Sequence, residues 1–372
     1  MTTKDDRPKL AVILGSGFSK EVGLPTTGDI PKRFLEFPNK DVPDYFLPYE
    51  VEEEISRILN KFWQDIFGFC AGHDTPSLED HFTLIDLAAN SGHHLGKYYN
   101  PKRLRAIRRM SIHRVFSLVT VGSKKKEHIQ KMLLALNNNF KLSIVTLNWD
   151  IAVERHLDKL GIEFDYPIDT FKLAGQSAGE LYRRRNGIPL MKMHGSTNWV
   201  YCDACRRIYA RKIRSAALIR KSFLEPDDFR LFETDENIIK HVELSREKSS
   251  CPWCKNILAG RVATFSYRKA FSIAQFQTIW ERAYAYLREA DRWLIIGYSL
   301  PEADFEFLHL LKSAQLSRKK PEDLSIVVVI GGRPETVNRY KGVFGLNENS
   351  IKCGGLKEWD KKYFQQFVDQ SK

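Results

Sequence analysis

Three short polar side chains follow one apolar run, and their residue types are those that a reaction centre uses. The run opens the stretch KLSIVTLNWD at 141–150, whose apolar, β-branched first half is typical of a strand buried on both faces. Thr146, Asn148 and Asp150 then alternate, so their side chains point the same way if the chain stays extended. Open α/β sheets place their chemistry at the carboxyl ends of their strands, which makes this tip a candidate site. The alternative is that Asn148 and Asp150 only cap a helix predicted to begin at residue 151.

Four other apolar runs also end in a small or polar residue, at Gly15, His194, Gly297 and Gly331. If all five strands are parallel, their tips share one edge of the sheet and line one crevice. The sequence therefore predicts an α/β fold built on a Rossmann-like parallel sheet. A single histidine at a strand end is more often structural than catalytic, so the case for His194 depends on the other tips. The predicted strands span residues 10–14, 142–145, 188–193, 293–296 and 325–330.

A glycine-rich turn, Gly15–Ser19 with the sequence GSGFS, follows the first predicted strand. Glycine has no Cβ, so the backbone N–H groups of such a turn can approach a phosphate closely. The turn is an incomplete dinucleotide fingerprint, because Lys20 stands where the third glycine of G-x-G-x-x-G would be. It therefore indicates phosphate binding only in combination with the other tips.

Four of the six cysteines form two C-x-x-C pairs, Cys202 with Cys205 and Cys251 with Cys254. The charged N-terminus, MTTKDDRPKL, does not resemble a signal peptide, and no apolar run is long enough to span a membrane, so we expect a reducing, cytoplasmic location. In that compartment the pairs predict a structural zinc site of four thiolates, although the spacer between them is longer than usual. The alternative is two pairs of free thiols.

The net charge of +12 over 372 residues is large. It suits anionic ligands, such as nucleotides, nucleic acid or an acidic partner surface. The alternative is that the charge only keeps the protein soluble. Part of it lies in the segment Pro101–Arg109, which is either a partner surface or an ordinary solvated helix face.

Residues 31–140 carry helical patterns and separate the first predicted strand from the second. This distance is too long for an ordinary crossover, so we predict an inserted helical module. The C-terminal segment is predicted to be one last helix. The predicted organisation is a Rossmann-like domain in three parts, 1–30, 141–200 and 260–372, interrupted by the helical module at 31–140 and by a zinc-binding module with a basic helical insert at 201–259.

In their order and residue types, these motifs resemble those of the sirtuin family. Gly15–Ser19 is similar to the sirtuin turn G-A-G-x-S, and Thr146–Asp150, TLNWD, is similar to T-Q-N-x-D. His194–Ser196, HGS, resembles the segment with the family's catalytic histidine and stands just before the cysteine pairs. Gly297–Leu300, GYSL, resembles G-T-S-L. The resemblance spans most of the chain and implies an NAD-binding Rossmann-type fold.

The closer resemblance is to the sirtuin-like NAD-hydrolase domains of bacterial anti-phage defence, through the segment Gly297–Asp304 and the helical insertion. It implies hydrolysis of NAD+ to ADP-ribose and nicotinamide, which depletes NAD in abortive infection. One alternative is an NAD-dependent protein-lysine deacylase. Two departures disfavour it: Thr26–Gly28 replaces the Asp and Arg that follow the first sirtuin turn, and 262–267 lacks the V-x-F-G-E pattern. The second alternative is a non-catalytic module that senses a nucleotide or binds nucleic acid.

The resemblance also implies roles for individual residues. His194 would be the general base, because an imidazole titrates near neutral pH. Asn148 would position water or the ribose hydroxyls, and Asp150 would hold the ribose or tune the site. Backbone N–H groups of Gly15–Ser19 would bind the pyrophosphate. The residues expected to contact NAD+ are Gly15, Ser16, Gly17, Phe18, Ser19, Thr146, Asn148, Asp150, Gly297, Tyr298 and Ser299.

An NAD hydrolase must be restrained in its host cell. The resemblance therefore implies control through assembly, either as a homo-oligomer or with a separate regulatory partner such as a HerA-like ATPase. The basic segment Pro101–Arg109 and the basic insert of the zinc module, which extends to Lys221, are the candidate contact surfaces for such a partner or for nucleic acid.

Overall fold

Seven parallel strands form one sheet at the centre of this computed structural model, which confirms the predicted Rossmann-like fold. The structure describes residues 6–35, 47–70, 74–120, 126–168, 186–202, 204–211, 224–245, 250–258 and 274–370. The strands are β1 (Lys9–Leu14), β2 (Lys141–Thr146), β3 (Phe164–Asp165), β4 (Ile188–Lys192), β5 (Trp199–Cys202), β6 (Arg207–Ala210), β7 (Arg292–Ile296), β8 (Ser325–Val329) and β9 (Ile351–Lys352).

The order across the sheet is β3-β4-β2-β1-β7-β8-β9, while β5 and β6 form a separate antiparallel hairpin. The chain builds from β1 toward one edge and then returns to start β7 on the other side of β1. The strand order therefore reverses between β1 and β7, which is where open α/β sheets bind their ligands. All five strands predicted from the apolar runs are present. The edge strands β3 and β9 have two residues each and are too short for periodicity to reveal them.

The long helices lie close to their predicted positions, but the single helix predicted for the C-terminal segment is wrong. Gly345, with a φ of +66°, ends one helix, and two short helices follow β9. None of the helices in the described part of the chain has the length and apolar character needed to cross a membrane. The helices are α1 (Ser16–Glu21), α2 (Ile30–Phe34), α3 (Tyr49–Phe67), α4 (Leu78–Ser91), α5 (Pro101–Thr120), α6 (Glu127–Asn139), α7 (Ala152–Lys159), α8 (Pro226–Arg230), α9 (Glu236–Ser245), α10 (Ala274–Glu289), α11 (Phe305–Leu316), α12 (Pro334–Phe344), α13 (Leu356–Lys362) and α14 (Phe364–Asp369).

Two hydrophobic cores organise these elements. The first surrounds the sheet, and α6 packs into it through Met132 and Leu136, unlike the other helices of the predicted module at 31–140. The second joins α3, α4 and α5 to the zinc region, where Phe229 and Cys251 belong to it. Trp149, from the tip of β2, also lies in the second core. The helices before α6 and the zinc region therefore share one interior, and a residue of the candidate site connects it to the sheet.

The basic segment Pro101–Arg109 makes several bonds within the molecule. Arg108 pairs with the buried carboxylate of Asp86 at 2.6 Å, and Arg109 pairs with the buried Asp228. Arg103 donates from Nε to the carbonyl of Leu231 at 2.8 Å. Arg103 and Arg109 therefore hold α5 against α8 and the residue that follows it, whereas Arg108 joins α5 to α4. The exposed charges of the segment are Lys102 and Arg105.

The turns that follow β1 and β7 cross at the reversal of the strand order with no room for a side chain. Gly17 donates from its backbone N–H to the carbonyl of Gly297 at 2.9 Å. A Cβ at Gly297 would lie 2.5 Å from the Cα of Gly17 and 2.5 Å from the nitrogen of Phe18, and the φ of Gly297 is +65°. Glycine is therefore required here for contact as well as for conformation.

Gly297→Ala and Gly345→Ala form a matched pair that separates these two effects. Both positions have a similar positive φ, but a Cβ at Gly345 meets nothing within 4 Å. We expect Gly345→Ala to cost about 1–2 kcal/mol, from backbone conformation alone. Gly297→Ala adds backbone overlap and should cost about 3 kcal/mol or more. Chemical denaturation of both variants measures the difference, and equal losses would show that the crossing of the two turns tolerates a Cβ.

Candidate active site

A cavity of about 550 Å³ opens at the carboxyl edge of the sheet. All five predicted strand tips line it: Gly15 after β1, Asn148 after β2, His194 after β4, Gly297 after β7 and Gly331 after β8. The cavity therefore extends across the point where the strand order reverses. The five tips share one crevice, as their parallel arrangement predicts.

A directed chain of hydrogen bonds orients Asn148. Its Nδ2 donates to the carbonyl oxygen of Gly15 at 2.8 Å and to Ser19 Oγ at 2.9 Å. Ser19 in turn donates its hydroxyl hydrogen to Asp150 Oδ2 at 2.6 Å. Both hydrogens of the Asn148 amide are thus used within the protein, which leaves Oδ1 as the atom that can bind a ligand, as an acceptor. Ser19, predicted as a ligand contact, is also the link between the two polar residues of the β2 tip.

Asp150 has a structural role at the start of α7. Its Oδ1 accepts the backbone N–H of Ala152 at 2.9 Å, while Oδ2 accepts from Ser19. The capping alternative raised from the sequence therefore describes one of its two oxygens. The side chain is largely buried but still lines the cavity.

A buried ion pair that the sequence analysis missed supports the same tip. Lys192, the last residue of β4, is fully buried; its Nζ lies 3.1 Å from Glu154 Oε1 and also donates to the carbonyl of Asp150. Glu154 Oε1 accepts a second hydrogen bond from the hydroxyl of Tyr166 at 2.9 Å. A lysine inside an apolar strand two residues before His194 was the available signal, because such a charge needs a buried partner. The network holds the backbone of the β2 tip from the interior of the protein.

His194 is buried at the cavity wall and faces a carboxylate. Its Nε2 lies 3.9 Å from Asp304 Oδ1, and Asp304 Oδ2 accepts from the hydroxyl of Tyr298 at 3.2 Å. Burial, together with the charge of Asp304, raises the pKa of Tyr298 well above its ordinary value, so the phenol keeps its proton and donates it. The sequence analysis included Asp304 in a motif but assigned it no role.

Two residues expected to contact the ligand do not line the cavity. Phe18 is buried in the sheet core, because α1 turns its side chain inward. Thr146 is buried as well and accepts the backbone N–H of Asn148 through Oγ1 at 3.2 Å, so it supports the tip indirectly. The other predicted contacts line the cavity.

Three backbone N–H groups of the glycine-rich turn, whose binding to a pyrophosphate stays a prediction, already have acceptors within the protein. Gly15 donates to the carbonyl of Ile296 at 3.0 Å, Gly17 donates to Gly297, and Phe18 donates back to Gly15 at 3.0 Å. Two of these N–H groups therefore hold the crossing of the two turns, and the third closes the turn after β1 on itself. A ligand can therefore approach the backbone of this turn closely, but it does not meet an N–H donor at every residue.

The inserted helices complete the cavity, which the sequence did not predict. The start of α4 and the end of α5 contribute Ser77, Glu79 and Val119 to its wall. Charged side chains are distributed unevenly: Glu79, Asp150 and Asp304 are acidic, whereas Arg333 is the only lysine or arginine that lines the cavity among the residues the structure describes. Arg333 lies beyond β8, far along the sheet from His194.

The four paired cysteines come together in one cluster, positioned to bind a zinc ion. Their sulfur atoms lie within 4.8 Å of one another, with Cys202 Sγ 3.5 Å from Cys254 Sγ and Cys205 Sγ 4.0 Å from Cys251 Sγ. Zinc–sulfur bonds of about 2.3 Å in a tetrahedron require sulfur separations of about 3.8 Å, so the donor set fits the ion. A hydrogen bond from the backbone of Asn256 is the main cause that lowers the pKa of the Cys254 thiol to about 6, whereas the hydrogen bond with Cys254 is the main cause that raises the pKa of Cys205 to about 12.

Some sequence-based expectations fall outside the described residues. These are most of the basic zinc insert, at 212–223, and the segment 262–267 that differs from the deacylase pattern. The cysteine cluster itself is described, through the β5–β6 hairpin and residues 250–258.

No protein-family model matches this chain, and no curated protein sequence matches it. Solved structures are similar to it over 98% of its length. They include a mutant Sir2 homologue in complex with ADP-ribose, with 14% identity, 92% of that chain covered and a TM-score of 0.41. A complex of a Sir2 homologue with NAD has 13% identity and a TM-score of 0.42, with 98% of this chain and 90% of that chain covered. A complex of Sir2 with a p53 peptide and NAD+ has 11% identity and a TM-score of 0.41, with 98% of this chain and 95% of that chain covered. Because identity and TM-score are both low, we take the function from the geometry of this chain's own residues.

Replacing a cluster cysteine should release zinc and destabilise the protein. We expect Cys251→Ser to lose the bound metal and to unfold at a clearly lower temperature, because structural zinc contributes folding energy directly. Cys353→Ser is the matched control, since Cys353 is exposed and outside the cluster. Elemental analysis and thermal denaturation measure both effects. Wild-type melting in Cys251→Ser would refute a structural zinc site.

Proposed function

We propose that this chain is a sirtuin-like NAD+ hydrolase that cleaves the nicotinamide glycosidic bond and releases ADP-ribose and nicotinamide. One observation carries the proposal: Asn148 and His194, from the tips of neighbouring strands, line one cavity at the reversal of the strand order. This is the position in which open α/β sheets bind dinucleotides. A site that only bound a nucleotide would not need a buried histidine at the same strand edge.

The strand order suggests how NAD+ would lie. The nicotinamide ribose would sit over β4 and β2, beside His194 and Asn148. The pyrophosphate would cross the paired turns of β1 and β7, where Gly17 and Gly297 leave no side chain in the way. The adenosine would extend toward β8 and Arg333. With neighbouring strands about 4.8 Å apart, β4 and β8 are separated by about 19 Å, a span that suits an extended dinucleotide.

The chemistry follows from the charges of the substrate. The bond between C1′ of the ribose and the pyridinium nitrogen breaks with its electron pair going to nicotinamide, which leaves as a neutral molecule and needs no general acid. The ribosyl centre becomes oxocarbenium-like, as in glycoside hydrolysis, and the negative charge of Asp150 favours that cation. Water adds its oxygen to C1′ and gives a proton to His194. Oδ1 of Asn148 would accept a hydrogen bond from that water or from a ribose hydroxyl.

Protein-lysine deacylation by the same site is the second candidate, because it begins with the same cleavage of the nicotinamide bond. It differs in requiring an acyl-lysine peptide as the nucleophile. Thr26, Thr27 and Gly28 line the cavity where deacylases carry Asp and Arg, which favours hydrolysis.

Nicotinamide release from NAD+ without peptide tests the proposal directly. We expect turnover by the wild-type chain and a loss of at least about 100-fold in His194→Ala and Asn148→Ala, with unchanged folding and zinc content. His309→Ala, which removes an exposed histidine of α11, is the matched control and should keep full activity. Release that appears only after addition of an acetyl-lysine peptide would favour the deacylase. Saturable NAD+ binding without product under both conditions would indicate a sensing module.

Arg333 should affect binding rather than chemistry. Arg333→Ala removes a positive charge near the adenosine end, so we expect KM for NAD+ to rise by about tenfold while kcat stays within about twofold. Arg282→Ala, an exposed arginine on α10 that does not line the cavity, is the control. Steady-state kinetics at two salt concentrations measure both parameters. An unchanged KM would contradict the placement of NAD+ across β8.

We further propose that the activity serves as an NAD-depleting effector in bacterial anti-phage defence, restrained by self-association or by a separate partner such as a HerA-like ATPase. The internal bonds of Arg103, Arg108 and Arg109 leave Lys102 and Arg105 as the exposed charges of the basic segment for such a contact, or for nucleic acid. Light scattering of the purified chain tests self-association. A monomer at all concentrations would exclude restraint by self-association and leave restraint by a separate partner.

A further inference from the structure

Asp304 stands at the start of α11 but does not cap it. An aspartate at this position usually accepts a backbone N–H of the first helical turn. Here the side chain makes no such capping hydrogen bond, although Asp304 is the N-cap residue. Its carboxylate is nine-tenths buried and turned toward the cavity instead. The usual capping hydrogen bond of a helix is therefore missing at the edge of the candidate site, and functional sites are where such exceptions are expected.

Both oxygens of this carboxylate face groups of the site. Oδ2 accepts from the hydroxyl of Tyr298, and Oδ1 lies 3.9 Å from His194 Nε2. Tyr298 is held rigidly, because its ring packs against Phe307 and its carbonyl accepts from the hydroxyl of Tyr340 at 2.8 Å. The carboxylate is therefore fixed in direction, with one oxygen anchored and the other directed at the histidine.

We infer that Asp304 is the positioning residue of His194, which it orients and supports electrostatically when the imidazole takes up a proton. The inference rests on the proposed function, because it assigns the partner of the proposed base. When water attacks C1′, one proton passes to His194 and no other bond to the protein changes. A carboxylate within 4 Å stabilises the resulting imidazolium and makes the imidazole a stronger base.

The other charged groups of the cavity are less suited to this task. Both oxygens of Asp150 are engaged, by Ser19 and by the N–H of Ala152. Glu79 comes from the inserted helices, and Arg333 comes from beyond β8, four strands along the sheet from the β4 tip that carries His194. Lys192 is close in sequence, but its ammonium group pairs with Glu154 beneath the tip.

A purely structural role is the competing explanation, in which Asp304 only accepts the hydrogen bond of Tyr298. Asp304→Asn separates the two, because the amide oxygen can still accept from Tyr298 while the charge is lost. Tyr298→Phe is the complementary variant, since it removes the hydroxyl and keeps the charge. A structural role predicts that Tyr298→Phe lowers kcat at least as much as Asp304→Asn does. A positioning role predicts that Asp304→Asn lowers kcat more.

The experiment is an NMR titration of His194 in protein with labelled histidines, with its signal assigned by its absence in His194→Ala. We expect Asp304→Asn to lower the pKa of His194 by about one unit or more and Tyr298→Phe to leave it nearly unchanged. In turnover assays Asp304→Asn should lose about 10–100-fold in kcat with little change in KM, and the acid limb of its pH profile should move to lower pH.

The titration does not depend on turnover, so the two proposals fail separately. If wild-type protein releases no nicotinamide, the proposed function fails, while the titration still decides whether Asp304 acts on His194. An unchanged pKa of His194 in a folded Asp304→Asn protein would overturn the inference. If that variant melts early, Asp304→Glu retains the charge and should restore the wild-type pKa; failure to do so would also overturn it.

Discussion

The close approach of two backbone turns at the reversal of the strand order is the constraint on which the rest of the site depends. Gly17 and Gly297 are in contact without side chains between them, and the carbonyl of Gly297 accepts the N–H of Gly17. This contact joins the two halves of the sheet at their carboxyl edge. It also leaves a surface with no side chain at the centre of the cavity, with polar side chains on both sides of it.

Around that crossing, the polar groups are positioned by partners rather than left to solvent. Asn148 is oriented by Gly15 and Ser19, and the backbone of Asp150 is held by the buried Lys192. Trp149, between these two polar residues, packs against Phe116 of α5 with ring centroids 5.6 Å apart. The β2 tip is thereby tied both to the sheet and to the inserted helices.

The distribution of charge along the cavity matches the substrate we propose. Acidic side chains lie where a cationic nicotinamide ribose would react, and the guanidinium of Arg333 lies where the adenosine would end. The overall charge of +12 says nothing about this arrangement, because the described residues that line the cavity include three carboxylates and one guanidinium. Several arginines that raise the total, such as Arg108 and Arg109, are used to join internal elements.

The sequence by itself determined the five strands that end in the site, their tips and the metal ligands, because each has a local signal. Apolar β-branched runs specify buried strands, and C-x-x-C pairs specify a thiolate cluster. Gly15 and His194 stand directly after a run, and Asn148 stands three residues beyond one. Only the tertiary structure decided which side chains meet. Asp304 faces His194 and makes no capping hydrogen bond to its own helix. Lys192 pairs with Glu154 inside the protein, and the side chain of Phe18 packs in the core instead of lining the cavity. These contacts join residues far apart in the chain, and their direction is set by packing, which no local pattern encodes.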